Sequence, residues 1–321
     1  MKTIEELQKL YESELKPALQ DIEATRKGLL AKYIITIGGS IAAFLAAMYL
    51  AEKYAIIFYI AVVVILGLGF YFFFVVKKQY KEYRIYFKQN VVKEIVRMIN
   101  PSWQYSSEGR VTESDYDRSQ LFNTRLDSYE GDDLVKGQIE KTDFIFSELH
   151  TQYKTTKTDS DGKTETEWHT VFKGLFAHAD FNKEIKGRTF VLPEHASKQF
   201  NKFGMSKSDG GKTELVKLEN PEFEKIFKVY GTDQIESRYI LTPTMMEAMV
   251  NIYKQYKRRV YFSFIGSRVY IAMSFDKDLF EPRIIKSGVR FEDMEQMNSQ
   301  FSLIQILVRE MNLNTRIWTK D

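Results

Sequence analysis

Four polar side chains whose types could do chemistry lie within six positions, at Asp233, Gln234, Glu236 and Arg238. Carboxylates can exchange protons with a substrate, and an arginine offers a rigid fork of donors to a carboxylate or a phosphate. The neighbouring sequence supplies neither a nucleophile nor a metal-ligand spacing beside the two carboxylates. We therefore predict no catalytic residues in this cluster and interpret it as a recognition surface.

The same segment alternates between two sets of residues. Ile235, Ser237, Tyr239 and Leu241 alternate with Gln234, Glu236, Arg238 and Ile240. Alternation of this kind predicts a strand with one polar face, on which Glu236 and Arg238 could pair. Two alternatives to a recognition surface stay open: a solvated or salt-bridged strand surface, and a buried latch that stabilises the fold.

The histidines are the other candidate metal ligands, and they are His150, His169, His178 and His195. None belongs to an HExxH or similar ligand pair, and the chain contains no cysteine. We therefore predict no metal site and no cofactor. The glycine-rich stretch Ser208–Lys212 lacks the spacing of a phosphate-binding loop, so we expect a surface loop there. Because 46 Lys and Arg residues are balanced by 43 Asp and Glu residues, nucleic acid is not expected as the main ligand.

Two long apolar runs precede these residues and set the location of the protein. The run Tyr33–Leu50 has 18 residues, the run Tyr54–Val76 has 23, and neither contains a charged residue. An apolar helix of about 20 residues crosses a hydrocarbon core about 30 Å thick. A cleaved signal sequence has one short apolar region near the start of the chain. The pair therefore predicts a two-span transmembrane helical hairpin at residues 33–76, with spans 33–50 and 54–76.

The basic residues around the two spans predict their orientation. Seven lie outside the hairpin and one lies in its turn: Arg26, Lys27, Lys32, Lys77, Lys78, Lys81 and Arg84 against Lys53. Basic residues near span ends stay on the cytoplasmic side. We therefore expect a multi-pass membrane protein, in contact with membrane lipid, with both termini in the cytoplasm. Transport sites usually need a charged residue within the membrane, so a transporter or pump is disfavoured.

Small residues recur every four positions in the first span, at Gly39, Ala43 and Ala47. A face of small side chains lets two membrane helices approach closely. We predict that this face packs against the second span near Gly67 or Gly69. A homo-oligomer that uses the same face is the alternative.

Amphipathic helices are predicted on both sides of the hairpin. Residues 1–32 form an N-terminal cytoplasmic helix and residues 77–100 a juxtamembrane helix, in which Phe87, Val91 and Ile95 follow helical spacing. Since both helices emerge on the same side, we expect them to pack against each other. The alternative for the second is a basic helix that lies on anionic lipid.

Residues 101–321 mix hairpin and helix patterns, which predicts a cytoplasmic α+β domain. Glycines at the turns predict two hairpins, one around Gly162 and one around Gly266. Three helices are also predicted. One has Asn220 as its cap and extends to Gly231, and the last begins near Phe291. The helix between them has either Thr242 as its cap or Thr244, with Glu247 completing a capping box.

Four motifs in this domain carry a resemblance to a known family. They are VFKGLF at Val171–Phe176, GRTFVLP at Gly187–Pro193, the segment Leu218–Pro243, and DLFEP at Asp278–Pro282. In these motifs and in its layout, the chain resembles a bacterial family of membrane proteins known as domain of unknown function 3137. The resemblance implies a bacterial plasma-membrane protein without an assigned reaction. It also implies, by association alone, a LemA-type membrane protein as a partner.

Two classes of function follow from these observations. The first is a membrane-anchored interaction or scaffold module whose cytoplasmic domain binds a protein partner. The alternative is an enzyme at the membrane surface with an unrecognised site. An exposed apolar or aromatic patch would favour the module, and a pocket with convergent titratable groups would favour the enzyme.

Overall fold

The computed structural model of the chain describes residues 4–50, 55–159, 162–196, 213–285 and 290–310. The chain divides into a helical unit, Met1–Ile99 with Phe280–Asn298, and a sheet unit, Asn100–Leu279 with Ser299–Asp321. The helical unit therefore includes a segment from late in the sequence that the sequence analysis placed with the α+β domain.

Helices form the whole described part of the first 99 residues. They are α1 Ile4–Leu10, α2 Lys16–Leu50, α3 Ala55–Tyr71, α4 Lys77–Phe87 and α5 Lys93–Ile99, with π-helical turns at Tyr11–Leu15, Phe72–Val76 and Lys88–Val92. Pro17 lies just after the π-helical turn Tyr11–Leu15, within a helical stretch that is continuous from Ile4 to Leu50.

Two continuous helical stretches in this unit, Leu19–Leu50 and Ile56–Ile99, are long and apolar enough to cross a membrane. Within the uncharged runs, residues 33–50 and 56–74, most of the apolar side chains are exposed, as Ile35 and Val63 are at 63% and 69%. The predicted turn between them, residues 51–53, lies outside the described residues. The two long apolar helices of the predicted fold are therefore present.

The apolar face predicted for the juxtamembrane helix is confirmed, because Phe87, Val91 and Ile95 are all buried. The helix ends at Ile99, as predicted from the proline that follows Asn100. In the predicted N-terminal helix, Leu15 and Ile22 are also buried.

One charged residue in the juxtamembrane segment, Lys88, is buried. Lys88 is 2% exposed, and its Nζ lies 2.8 Å from Glu281 Oε1. Arg84 Nε also contacts this carboxylate, at 2.6 Å from Oε2. Glu281 belongs to the DLFEP motif, so this motif contributes an ion-paired carboxylate to the helical unit.

The described strands of the sheet unit form one antiparallel sheet. They are β1 Gln104–Ser106, β2 Ser128–Ile139, β3 Thr142–Thr158, β4 Thr164–Pro193, β5 Glu214–Val216, β6 Phe227–Gly231 and β7 Val260–Ser274. The order is β1-β2-β3-β4-β6-β5, and β7 also pairs with β4. Together with the helices, this sheet confirms an α+β domain.

The first predicted hairpin is confirmed. Strands β3 and β4 pair from Thr158 opposite Thr164 down to Phe144 opposite Ala179. Gly162 has a φ of 77°, a left-handed conformation that suits glycine.

The second predicted hairpin, at Gly266 and Ser267, is wrong. Strand β7 continues through this point and pairs with β4 on both sides of it, with Arg268 opposite Asp180 and Gly266 opposite Ile185. Gly266 has a φ of 62° at a bulge in the pairing. A bulge shifts the alternation of side chains by one residue. A two-residue turn would give the same apolar pattern, so the sequence could not separate the two.

Helices and loops cover the sheet on its faces. The remaining helices are α6 Glu113–Arg118, α7 Pro221–Ile226, α8 Gln234–Ile240, α9 Pro243–Tyr256 and α10 Phe291–Glu310. Tyr116 of α6 packs within an aromatic group that includes Phe122 and Phe176. Phe227 packs against Phe262. Both faces of β7 are therefore buried.

The predicted caps of α7 and α9 are confirmed. The Asn220 side chain accepts a hydrogen bond from the N–H of Phe223, and Thr242 accepts one from Met245. Helix α7 ends at Ile226, however, because residues from Phe227 onward pair with β4 and β5 as strand β6. The predicted helix to Gly231 was therefore too long.

Candidate functional site

The polar cluster that begins at Asp233 lies on helix α8, and the strand predicted there is wrong. Asp233 caps the helix, since its Oδ1 accepts hydrogen bonds from the N–H groups of Ile235 and Glu236 at 2.8 and 3.0 Å. Ser237 and Ile240, three positions apart, are the buried residues. Over only seven residues, the spacing of apolar residues fits both a helix and an alternating strand. The hydrogen bonds from the Asp233 side chain to the first backbone N–H groups favour the helix.

Glu236 connects α8 to strand β4. Its Oε1 accepts a hydrogen bond from the N–H of Lys186 at 3.0 Å, and its Oε2 accepts one from the N–H of Gly187 at 2.8 Å. These amides lie where β4 departs from regular pairing with β7, between Ile185 and Arg188. The carboxylate therefore satisfies two backbone donors that the irregular strand frees.

Two glycines make room for this connection. A Cβ on Gly187 would lie 2.7 Å from Glu236 Oε2 and 2.6 Å from Thr232 Oγ1. A Cβ on Gly231 would lie only 2.1 Å from Ser237 Oγ. The motifs GRTFVLP and VYGTDQIESRY thus meet in space, with hydrogen bonds and close backbone approach between them.

Hydroxyl groups extend the connection into the buried part of the sheet unit. Thr189 Oγ1 and Ser237 Oγ share a hydrogen bond of 2.9 Å, and both residues are buried. Thr232 Oγ1 accepts a hydrogen bond from the N–H of Arg188 at 2.8 Å. Such contacts hold α8 on the sheet, which is the role of a latch in the fold.

Arg238 is exposed and does not share the contacts of Glu236. Its guanidinium contacts Gln234 Oε1 at 3.2 Å and the carbonyl of Lys217 at 3.4 Å. Residues two positions apart on a helix point in different directions, so the predicted pairing of Glu236 with Arg238 has no basis in this helix. Of the four predicted site residues, Asp233 and Glu236 therefore support the fold, while Gln234 and Arg238 lie beside strand β5.

An exposed apolar surface surrounds Arg238. Ile235 is 80% exposed, Tyr239 46%, and Leu215 of β5 48%. Strand β5 stands at the end of the described strand order, and Gln234 Nε2 contacts Glu214 Oε2 of that strand at 3.3 Å. We refer to the side chains of Leu215, Ile235, Arg238 and Tyr239 as the α8–β5 surface.

The sequence analysis missed Ile235 and Tyr239 as surface residues because it assigned them to the apolar face of a strand. The spacing of these residues could have indicated that they share one exposed face. On a helix, residues 235, 238 and 239 are separated by three and four positions and therefore share one face.

A buried carboxylate lies elsewhere in the sheet unit, on β3. Glu148 is 6% exposed, and its Oε2 accepts a hydrogen bond from the N–H of Leu279 at 3.0 Å. Burial, together with the smaller effect of the carboxylates of Asp132, Asp133 and Asp278, raises the pKa of Glu148 to about 8. Asp132 stands directly opposite Glu148 at a bulge in β2. The carboxyl group is therefore protonated in the folded protein at neutral pH.

His178 of β4 is the most buried of the four histidines, at 5% exposed. Its Nε2 lies 3.9 Å from Asp115 Oδ2, and Arg268 Nη1 lies 3.0 Å from the other oxygen of Asp115. Burial, together with the smaller effect of the Arg268 charge, lowers the pKa of His178 to about 4. The imidazole is therefore neutral at physiological pH.

Two other histidines lie on the strands of the long hairpin. His169 stacks on Tyr153 and hydrogen bonds Thr155 Oγ1 at 2.8 Å. His150 hydrogen bonds Thr170 Oγ1 at 3.1 Å. The glycine-rich stretch Ser208–Lys212 lies outside the described residues.

The small-residue face of the first span lies partly against the second. A Cβ on Gly39 would lie 3.3 Å from Leu68 Cδ1, whereas one on Gly38 would meet nothing within 4 Å. Ala47 is buried and Ala43 half-buried. Leu68, rather than Gly67 or Gly69, contacts this face, and the role of the face in assembly stays a prediction.

Comparison with known proteins yields three findings. A solved structure, the crystal structure of the mycobacterial trehalose monomycolate transport factor A (TtfA), is similar over 67% of this chain and 96% of that chain. The identity is 10% and the TM-score 0.31, values that support no conclusion about fold or function. No curated protein matches the chain. Residues 170–313, from within β4 to just beyond α10, match the family described as protein of unknown function (DUF3137). This match confirms the resemblance carried by the sequence motifs, all of which lie within residues 170–313.

Proposed function

We propose that this protein is a membrane-anchored interaction module. The helical hairpin anchors it in the bacterial plasma membrane, both termini lie in the cytoplasm, and the sheet unit binds a protein partner through the α8–β5 surface. The observation that carries the proposal is the exposed Ile235 beside Tyr239 and Arg238. A LemA-type membrane protein stays a candidate partner by family association.

The exposed apolar side chains of α2 and α3 support the membrane anchor. Phe70, Phe73 and Phe74 are exposed at 62% to 65%, on a helix that contains no charged residue between Ala55 and Val76. Exposure of an apolar surface of this extent to water is unfavourable, whereas a bilayer buries it.

The composition of the α8–β5 surface supports the binding role. Tyrosine and arginine are enriched among the residues that contribute most to protein interfaces. Strand β5 adds an edge where an extended segment could pair. A partner with an apolar patch and a carboxylate would fit this surface, because Arg238 offers a bidentate fork.

The anchor is tested by thiol labelling, since the chain has no cysteine. Single cysteines at Lys2 and Lys163 should be protected from a membrane-impermeant reagent in intact cells, and a cysteine at Glu52 should react. Labelling at Lys163 before lysis would overturn the cytoplasmic location of the sheet unit.

The partner surface is tested by a photo-crosslinking amino acid placed at Ile235 or Tyr239. We expect one discrete adduct in living cells at these positions, and its loss when Arg238 is replaced by Ala. Trp168, which is 50% exposed on the β3–β4 hairpin, is the matched control and should give no such adduct. Equal adducts at all three positions would contradict a specific surface.

The alternative function is an enzyme at the membrane surface, and it is supported by the burial and shifted pKa values of Glu148 and His178. Shifted pKa values of buried groups are common at active sites. Glu148→Gln and His178→Gln would abolish such an activity while leaving the crosslinked adduct at Ile235 unchanged. If both variants keep a normal cellular phenotype, this alternative is removed.

A further inference from the structure

An apolar groove of about 580 Å³ lies within the helical unit, between α2 and the segment that precedes α10. Ile34, Gly38 and Ile41 line it on α2, and Ile284 and Ile285 line it on the opposite side. Its volume falls in the range of about 300 to 1,000 Å³ that small-molecule sites occupy. The groove therefore has room for one elongated apolar molecule.

The wall opposite α2 is held in place by a buried arginine. Arg26 is 7% exposed and donates a hydrogen bond to the carbonyl oxygen of Ile284. Glu23 fixes the same guanidinium by accepting from Nε at 2.8 Å and from Nη2 at 2.6 Å. This bidentate pair orients Arg26, so the groove is built into the fold rather than left by a loose loop.

The length of the groove matches one leaflet of a bilayer. Its lining on α2 extends from Leu30 to Ile41. At about 1.5 Å per helical residue this distance is about 16 Å, roughly half of a hydrocarbon core about 30 Å thick. The apolar end lies within the first span and the other end lies at its cytoplasmic border.

The border end of the groove is polar and basic. Tyr33 and Tyr80 line it, and Lys32 Nζ donates to Gln79 Oε1 at 2.7 Å beside them. Lys77 and Lys81 are exposed on the helix that carries Tyr80. Tyrosine and lysine are enriched at the border between hydrocarbon and water, where lysines attract anionic headgroups.

We infer that this groove binds one acyl chain of an anionic phospholipid from the cytoplasmic leaflet, with the headgroup at Lys77 and Lys81. The inference rests on the proposed membrane anchor. A second copy of the chain fits less well, because a symmetric contact through this groove would bring the lysines of both copies together.

The test fills the groove in the full-length protein. Gly38→Trp places a ring in it, since a Cβ there meets nothing within 4 Å. Gly67→Trp on α3 is the matched control, because Gly67 is equally open but does not line the groove. After detergent delipidation, dioleoyl phosphatidylglycerol is added and retained lipid is counted by native mass spectrometry.

We expect native protein and Gly67→Trp to retain one phosphatidylglycerol, and Gly38→Trp to bind it at least about tenfold more weakly because the ring occupies the site. Lys77→Gln and Lys81→Gln should each weaken retention about fivefold and remove the preference over dioleoyl phosphatidylcholine. Equal retention by both tryptophan variants would overturn the inference. A lipid-free dimer that Gly38→Trp dissociates would overturn it as well.

Vesicles that contain phosphatidylglycerol with a diazirine on its acyl chain separate failure of the site from failure of the anchor. Adducts at Ile284 or Ile285 that Gly38→Trp abolishes support the groove. Adducts at Phe70 and Phe74 of the second helix without adducts at Ile284 or Ile285 leave the anchor standing and refute the groove. Absence of adducts at all four positions, Phe70, Phe74, Ile284 and Ile285, refutes the anchor and, with it, the inference.

Discussion

Glu236 Oε2 lies 2.8 Å from the backbone nitrogen of Gly187, and the same carboxylate accepts a second hydrogen bond from the N–H of Lys186. One side chain of α8 thereby satisfies two amides at the irregular part of β4. The carboxylate contributes to the stability of the sheet unit, whereas Arg238 two residues later faces outward.

Glu236→Ala should therefore lower the free energy of unfolding by about 1.5 to 3 kcal/mol, since it leaves two amides without their charged acceptor. Glu236→Gln should cost less, because it keeps one oxygen. Chemical denaturation of the full chain in detergent measures the change. Glu247→Ala, at an exposed glutamate on α9, is the control and should change stability by less than about 0.5 kcal/mol. A loss no larger for Glu236→Ala than for this control would exclude the latch.

Arg238→Ala should leave the free energy of unfolding within about 0.5 kcal/mol, because the side chain is exposed and its contacts are long. The same variant should abolish crosslinking from Ile235 to the partner. Arg238→Lys should restore little of it, since the bidentate fork is lost. Normal crosslinking by Arg238→Ala would remove this residue from any binding role.

Gly39→Leu should destabilise the hairpin by about 1 to 3 kcal/mol, because bulk at Gly39 must displace Leu68. Gly38→Leu is the adjacent control and should be milder, since its side chain would enter open space. Ala43→Leu should resemble Gly39→Leu, and Ile41→Phe should resemble the control. Thermal unfolding in detergent compares the four variants, and equal midpoints would refute the packing face.

Glu148 should make the sheet unit less stable as pH rises. Its pKa is about 8 in the folded protein, above the ordinary value of 4.5 that it takes when unfolded. Below pH 4.5 both states are protonated, and between pH 4.5 and 8 only the unfolded state ionises, so stability falls by about 1.4 kcal/mol per pH unit. Above pH 8 this contribution levels off.

Glu148→Gln mimics the protonated acid and should remove the fall that Glu148 contributes, so that the variant gains stability relative to the native protein from pH 4.5 to pH 8. His178, whose pKa is lowered to about 4, contributes an opposite rise below about pH 6.5 in both proteins, so the difference between the two profiles is the quantity to compare. Denaturation midpoints at pH 5, 6.5 and 8 measure the effect. Glu130→Gln, at an exposed position of β2, should leave the profile unchanged. A native profile in Glu148→Gln would mean that another group controls it.

The parts of the fold that the sequence predicted are those in which local spacing and burial agree. Phe87, Val91 and Ile95 repeat at helical spacing and are buried, and Asn220 and Thr242 cap the helices that begin after them. The burial of Lys88 escaped prediction because its partner Glu281 lies about 190 residues away in the sequence. A lysine in a helix otherwise indicates an exposed position.

The candidate site was found as a cluster, but its geometry was not. Asp233 is a good helix cap, yet the seven residues after it fit a strand and a helix equally well. The bulge at Gly266 gives the same pattern as a turn for a related reason. In both cases the decision rests on which distant strand or amide is available, and that information is tertiary.

The ion pair between Lys88 and Glu281 has a consequence for the synthesis of the protein. After Lys88 is added to the growing chain, about 190 further residues must be added to reach Glu281, which takes on the order of 10 to 40 s at roughly 5 to 20 residues per second. During that interval most of the sheet unit emerges. Strands β1 to β6, the last of which ends at Gly231, therefore have time to pair before the helical unit receives its last segment.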